Sequence, residues 1–134
     1  MANALYDIGR NSFLLADIDW LVDAFDVVLV DTGAYTVDLV NHDFLDDVPA
    51  GARIATANLA GMSAASGVAD ATDTVFPTVT GVSVEAVLII KDTGAAATSD
   101  LIVWIDTATG LPVTPNGGDI TVQWDGGANK IFKL

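Results

Sequence analysis

There is no cysteine in the 134 residues, so disulfides, thiolate nucleophiles and cysteine-ligated metal centres are all excluded. Basic residues are nearly as scarce. Five Lys and Arg stand against 18 acidic groups, for a formal charge of −13. Such a surface repels polyanions and anionic lipid, so neither nucleic acid nor a membrane is expected as a partner. His42 is the only histidine and has Asp43 beside it. One imidazole without cysteine builds neither a multi-histidine metal site nor a Ser-His-Asp triad from this chain, and a loop or cap position is the expectation. Long apolar runs are missing too. Although 51% of the residues are apolar and mean hydropathy is +0.49, Asp or Gly interrupts every run. None approaches the roughly 18–20 residues of a spanning helix. The opening residues lack the basic region and apolar core of a secretion signal.

What is abundant is Asp, at 17 positions against a single Glu, with ten of the acidic groups in residues 1–50. Asp favours turns and caps where Glu favours helix interiors, so the composition describes short strands joined by Asp, Gly and Thr turns. The expected class is mainly β, an antiparallel β-sandwich or barrel-like domain with a short N-terminal helix or arm. The chain reads as a single domain, 1–134, with 1–21 a possible docking arm and 22–134 the β domain.

The organising stretch is Val84–Asp106, in which two apolar β-branched runs flank a small polar loop. This is a hairpin whose strands need cover on both faces. Upstream, residues 3–15 carry a helical spacing with Asn3 as a possible cap and Gly9 as a weak point. Phe25–Asp31 reads as a strand. Asp38–Val48 reads as a possible short helix capped by Asn41, with Phe44 and Leu45 inward. Further strands are expected at Arg53–Leu59, Ala64–Ala71, Val75-Phe76, Ile120–Trp124 and Lys130–Leu134, with turns at Gly61-Met62, Pro115–Gly118 and Asp125–Gly127.

Several constellations invite chemical readings. Val27–Ala34 contains Asp31-Thr32-Gly33 after an apolar strand, the arrangement of the catalytic turn in retroviral-type aspartic proteases, where two carboxylates share a proton. The hydrophobic-hydrophobic-Gly support of that family is replaced by Ile89-Ile90-Lys91. Asp-Thr also recurs at 92–93 and 106–107, which favours a strand-ending turn. Asp17, Asp19, Asp23 and Asp26 suggest calcium, but Trp20 and Leu21 stand where a calcium loop would continue. Glu85, inside an apolar run, needs a partner such as Lys91 or Arg53 if it is buried. Trp20, Trp104 and Trp124 could form a carbohydrate-stacking set, with Trp104 better placed in a core. No catalytic, cofactor-binding or metal site is assigned, and no enzymatic activity is expected.

Nearly the whole chain resembles a family of small virion structural proteins of tailed bacteriophages. The likeness is carried by Met-Ala-Asn-Ala-Leu-Tyr-Asp-Ile-Gly-Arg at the start, by Val-Leu-Val-Asp-Thr-Gly-Ala-Tyr-Thr-Val, and by Phe-Leu-Asp-Asp-Val-Pro. Its most specific part is the closing Lys-Asp-Thr-Gly-Ala-Ala-Ala-Thr-Ser through Asp-Thr-Ala-Thr-Gly-Leu-Pro-Val-Thr-Pro-Asn-Gly-Gly-Asp-Ile-Thr-Val-Gln-Trp-Asp. The resemblance implies a particle component and brings no catalytic or ligand residues. A small acidic β domain, too short for a shell protein and without the long helices of a portal or scaffold, suits a capsid decoration (cement) protein. It would be made in the host cytoplasm, sit on the capsid surface and bridge subunits of the major capsid protein, as a dimer or trimer. A tail or fibre component contacting tail proteins or host glycans is the alternative, and a retropepsin-like protease the remote one. The expected partner-binding residues are Leu5, Tyr6, Ile8, Phe13, Leu14 and Trp20 in the N-terminal segment, which could equally pack as a helix over one sheet face.

Overall fold

A computed structural model describes residues 3–134; Met1 and Ala2, with which the expected arm begins, lie outside the described residues. In chain order the strands are β1 Ala4–Leu5, β2 Phe25–Val30, β3 Arg53–Asn58, β4 Ser63–Ala65, β5 Val68–Asp70, β6 Thr74–Phe76, β7 Ala86–Lys91, β8 Leu101–Ile105, β9 Ile120–Val122 and β10 Phe132–Lys133. One α-helix, α1, runs Asp7–Leu14. The protein is mainly antiparallel β with a short N-terminal helix.

The expected hairpin is the middle of the molecule. β7 pairs with β8 on one side and with β2 on the other, within a five-stranded sheet of order β1-β8-β7-β2-β3. Side chains alternate across a strand, so an unbroken apolar run must be covered on both faces. On one face Val87 and Ile89 join Val27 and Leu29. On the other Leu88 and Ile90 join Val28 and Val30. The first face is covered by two small antiparallel sheets, β10-β5-β4 and β6-β9, through Ala69, Phe76 and Phe132, with Trp20 and Trp124 filling between them. The second face is covered by Tyr6 and by the long connection after β2, which contributes Tyr35, Val48 and Ala52. The second β layer is thus two short sheets rather than one continuous partner sheet.

Two local expectations change. The 38–48 segment makes only a 3-10 turn at Leu45–Asp47. The Asp38 carboxylate takes the amides of Val40 and Asn41, a local turn that competes with helix, and Phe44 bridges to Asp100 in extended form. Nor does Asn3 cap the helix. Its Oδ1 accepts the amides of Asp106 and Thr107, fastening the start of the chain to the end of β8.

The N-terminal segment is built into the sheet. Ala4 and Leu5 pair with Trp104 and Val103, and the Tyr6 amide donates to the Ile102 carbonyl at 2.9 Å. α1 then lies against β8, and Gly9 is what lets it. A Cβ at Gly9 would stand 3.0 Å from both the Ile102 Cα and the Leu101 carbonyl oxygen. The glycine that weakens the helix as a sequence pattern is the residue that seats it.

Candidate functional site

α1 ends in a Schellman turn. The amide of Ala16 donates to the Phe13 carbonyl and that of Asp17 to the Ser12 carbonyl, with Ala16 at φ 61° where glycine is usual. Beyond it the chain buries Ile18 and Trp20 and then turns again. That second turn is tied by carboxylates. Asp19 Oδ1 accepts the Leu21 amide at 3.0 Å, and Asp23 Oδ2 accepts the Asp19 amide at 2.7 Å. Lys91 draws the two segments together, pairing with Asp23 at 3.2 Å and donating to the Asp17 carbonyl. The Asp19 amide, and after it Lys91, hold the Asp23 carboxyl below its ordinary value despite some opposing desolvation.

These turns hold four large apolar side chains in solvent. Leu14 is 85% and Val22 78% exposed, with Leu15 and Leu21 also exposed. Phe13, just before them, is half-buried against the core, its ring 5.7 Å from that of Phe132. Asp17 and Asp19, both exposed, and Asp23, paired with Lys91, lie in the same stretch. Four exposed large apolar side chains within nine residues, on two hydrogen-bonded turns, make this stretch the candidate interaction surface.

Of the six residues expected to meet a partner, only Leu14 lies openly on this patch. Leu5, Tyr6 and Trp20 are core residues, and Ile8 and Phe13 are half-buried. The reason is that β8 leaves an open edge which β1 fills, so the segment serves the fold before it can serve a partner. Leu15, Leu21 and Val22 were missed. Their signal is an apolar surplus: Leu14-Leu15 closes the helix and Leu21-Val22 follows Trp20, more apolar residues than one buried face accepts.

The Asp31 and Asp92 turns lie far apart. β2 and β7 are antiparallel, so Asp31 and Asp92, each just past the end of its strand, stand at opposite ends of the sheet. In each turn Oδ1 accepts the amide of the glycine two residues on, at 2.8 Å. Asp125 and Gly127 repeat the arrangement at 3.1 Å. All three are Asx turns, and the first two end strands.

Turns 31–32 and 106–107 instead share one end of the sheet. They flank Glu85 in an open cleft of about 400 Å³. Glu85 accepts from the amide and hydroxyl of Thr32 and from the Ser83 hydroxyl. Neither expected cation serves it, since Arg53 donates to the Val48 and Leu45 carbonyls and Lys91 sits at the apolar patch. The cleft's aromatic residues are buried, Trp104 being 1% exposed, so no ring face is open for a sugar to stack on. Trp20 and Trp124 are likewise buried, and their indole N–H groups donate to the Ser63 and Asp70 carbonyls and to the Thr72 carbonyl.

Behind the cleft runs a chain of hydrogen bonds. The Tyr6 hydroxyl lies 3.0 Å from that of Tyr35, which lies 2.9 Å from His42 Nδ1. Burial pushes both phenols above their ordinary values, Tyr6 the further. His42 thus sits in a loop, as expected, and joins a part-buried network rather than a cap. Among the described residues no cluster of three or more acidic or histidine side chains is placed to hold a metal ion.

By its fold the molecule is a mainly β domain that presents an apolar patch, and its carboxylates are engaged chiefly in turns. No family model matches the chain, and no curated protein is significantly similar to it. Among the described residues no helix is long and apolar enough to cross a membrane.

Proposed function

We propose that this protein is a structural component of a tailed-phage virion, a decoration protein that binds the outside of the assembled head and bridges neighbouring major capsid protein subunits. The observation that carries the reading is the exposure of Leu14, Leu15, Leu21 and Val22 on two turns that Lys91 links, on a chain of charge −13. Burying a Leu or Val side chain contributes about 1.5–3 kcal/mol, so four anchors in one stretch can offset much of the cost of association. Holding the patch in place before contact removes a further ordering cost. With Asp17, Asp19 and Asp23 in the same stretch, the partner surface that fits it is both apolar and basic. A ligand that binds only the assembled lattice stabilises that lattice by mass action. The sequence resemblance in the closing segment supports the same class.

The test mixes purified protein with expanded capsids and counts bound copies by sedimentation, with micrographs to locate them. Wild type is expected on the outer head surface. Leu14→Asp/Val22→Asp, which changes only exposed side chains, is expected to lose binding by about 100-fold or more, on the scale of two lost anchors. Wild type that ignores capsids, or that labels the tail, removes the decoration reading. A double variant that binds normally removes the patch.

A further inference from the structure

We propose that Asn116-Gly117 is a self-modification site, an asparagine whose conversion to aspartate and isoaspartate is withheld by one backbone hydrogen bond. The chemistry needs only water. The backbone nitrogen of Gly117 attacks Cγ of the Asn116 carboxamide, so that an N–Cγ bond forms and the carboxamide C–N bond breaks. The departing nitrogen leaves as ammonia, carrying the proton that Gly117 gives up, and a succinimide ring remains. Water then opens the ring at one carbonyl or the other, giving aspartate or isoaspartate. A glycine after the asparagine leaves the attacking nitrogen unshielded by any side chain. The chain holds one Asn-Gly pair, and both of its residues are exposed.

The electrophile is held ready. Asn116 Oδ1 accepts the Gly118 amide at 2.9 Å, which fixes the carboxamide and polarises the carbon under attack. The nucleophile is not free. The Gly117 amide donates to the Val79 carbonyl at 2.8 Å, and the Val79 amide returns a bond to the Gly118 carbonyl at 2.9 Å. One residue further on, Asp119 Oδ1 accepts the Thr78 amide at 3.0 Å. This clasp continues the pairing of β6 with β9 beyond Phe76 and Ile120, and Val79 within it is buried. An N–H in such a pair gives up its proton only when the pair opens, so reaction at Asn116 runs through opening of the clasp.

The two products differ in what they leave behind. Aspartate at 116 keeps an oxygen for the Gly118 amide, and the clasp closes again around it. Isoaspartate adds a methylene to the backbone between 116 and 117 and carries Gly117 out of register with Val79. An opening is thereby written permanently into the chain. The molecule also holds its own comparison at Asp125-Gly126, the one Asp-Gly pair. Asp125 Oδ1 accepts the Gly127 amide at 3.1 Å, the same turn as at Asn116. The Gly126 amide, however, has no hydrogen-bond partner among the described residues, and both residues are exposed. Asp125→Asn therefore places a carboxamide in an unclasped copy of the site.

The experiment incubates intact Asp125→Asn protein at mildly alkaline pH, folded and in urea, and follows both positions by peptide mass mapping. In the folded protein position 125 is expected to convert faster than position 116 by about tenfold or more, the factor that about 1.4 kcal/mol of clasp opening imposes. In urea the two rates are expected to converge. Wild type, compared folded and in urea, reads the protection of Asn116 without any substitution. Asp119→Ala, which removes the acceptor of the Thr78 amide, is expected to speed conversion at 116 in folded protein. Position 116 converting as fast as 125 in the folded variant overturns the proposal. So does wild type in which Asn116 converts no slower folded than in urea.

Discussion

At Tyr35 one hydroxyl serves two neighbours, and its position in the chain of hydrogen bonds sets what its loss does. Tyr6 is fully buried and its hydroxyl has Tyr35 as its partner, whereas Tyr35 also reaches His42. Removing the Tyr35 hydroxyl strands that of Tyr6 in the core; removing the Tyr6 hydroxyl leaves Tyr35 still bonded to His42. Tyr35→Phe is therefore expected to destabilise by about 1–3 kcal/mol, and Tyr6→Phe by roughly 0.5–1.5 kcal/mol. Urea titrations at neutral pH measure both, and equal losses would show that the burden does not fall on Tyr6. Nothing local marks these residues. Tyr6 reads as one apolar position in a helical pattern and Tyr35 as a loop residue, because their partners lie far along the chain.

At the scale of elements, the contact of α1 with β8 decides whether the N-terminal segment is an arm or a part of the sheet. Gly9→Ala gains about 1 kcal/mol of helix propensity. Against that, the new methyl meets the backbone of Ile102 and Leu101 at 3.0 Å, and backbone in a paired strand does not move aside. Overpacking of this kind costs about 1–3 kcal/mol, so a net fall in melting temperature is expected, and a rise would show that α1 is seated loosely. The central hairpin was legible because two apolar β-branched runs leave few other solutions. The 38–48 segment was not, since the hydrogen bonds of Asp38 and the bridge from Phe44 to Asp100 compete with a helix that the residues could otherwise form.

For the whole molecule, a charge of −13 makes the proposed docking sensitive to salt. Screening shortens to about 10 Å at 0.1 M ionic strength and further above it. Docking of this acidic chain on a basic partner surface is expected to weaken as salt rises. Co-sedimentation with capsids across a salt series measures it, and binding unchanged by salt would show that charge does not contribute. By itself the sequence determined the class of fold, the central strands and the Asp turns, since composition and period-two patterning act locally. Only the tertiary structure decided which apolar residues remained outside. Leu5 and Leu14 belong to the same apolar segment, and one is buried because β8 offers it an edge, while the other is exposed because α1 ends beyond the core.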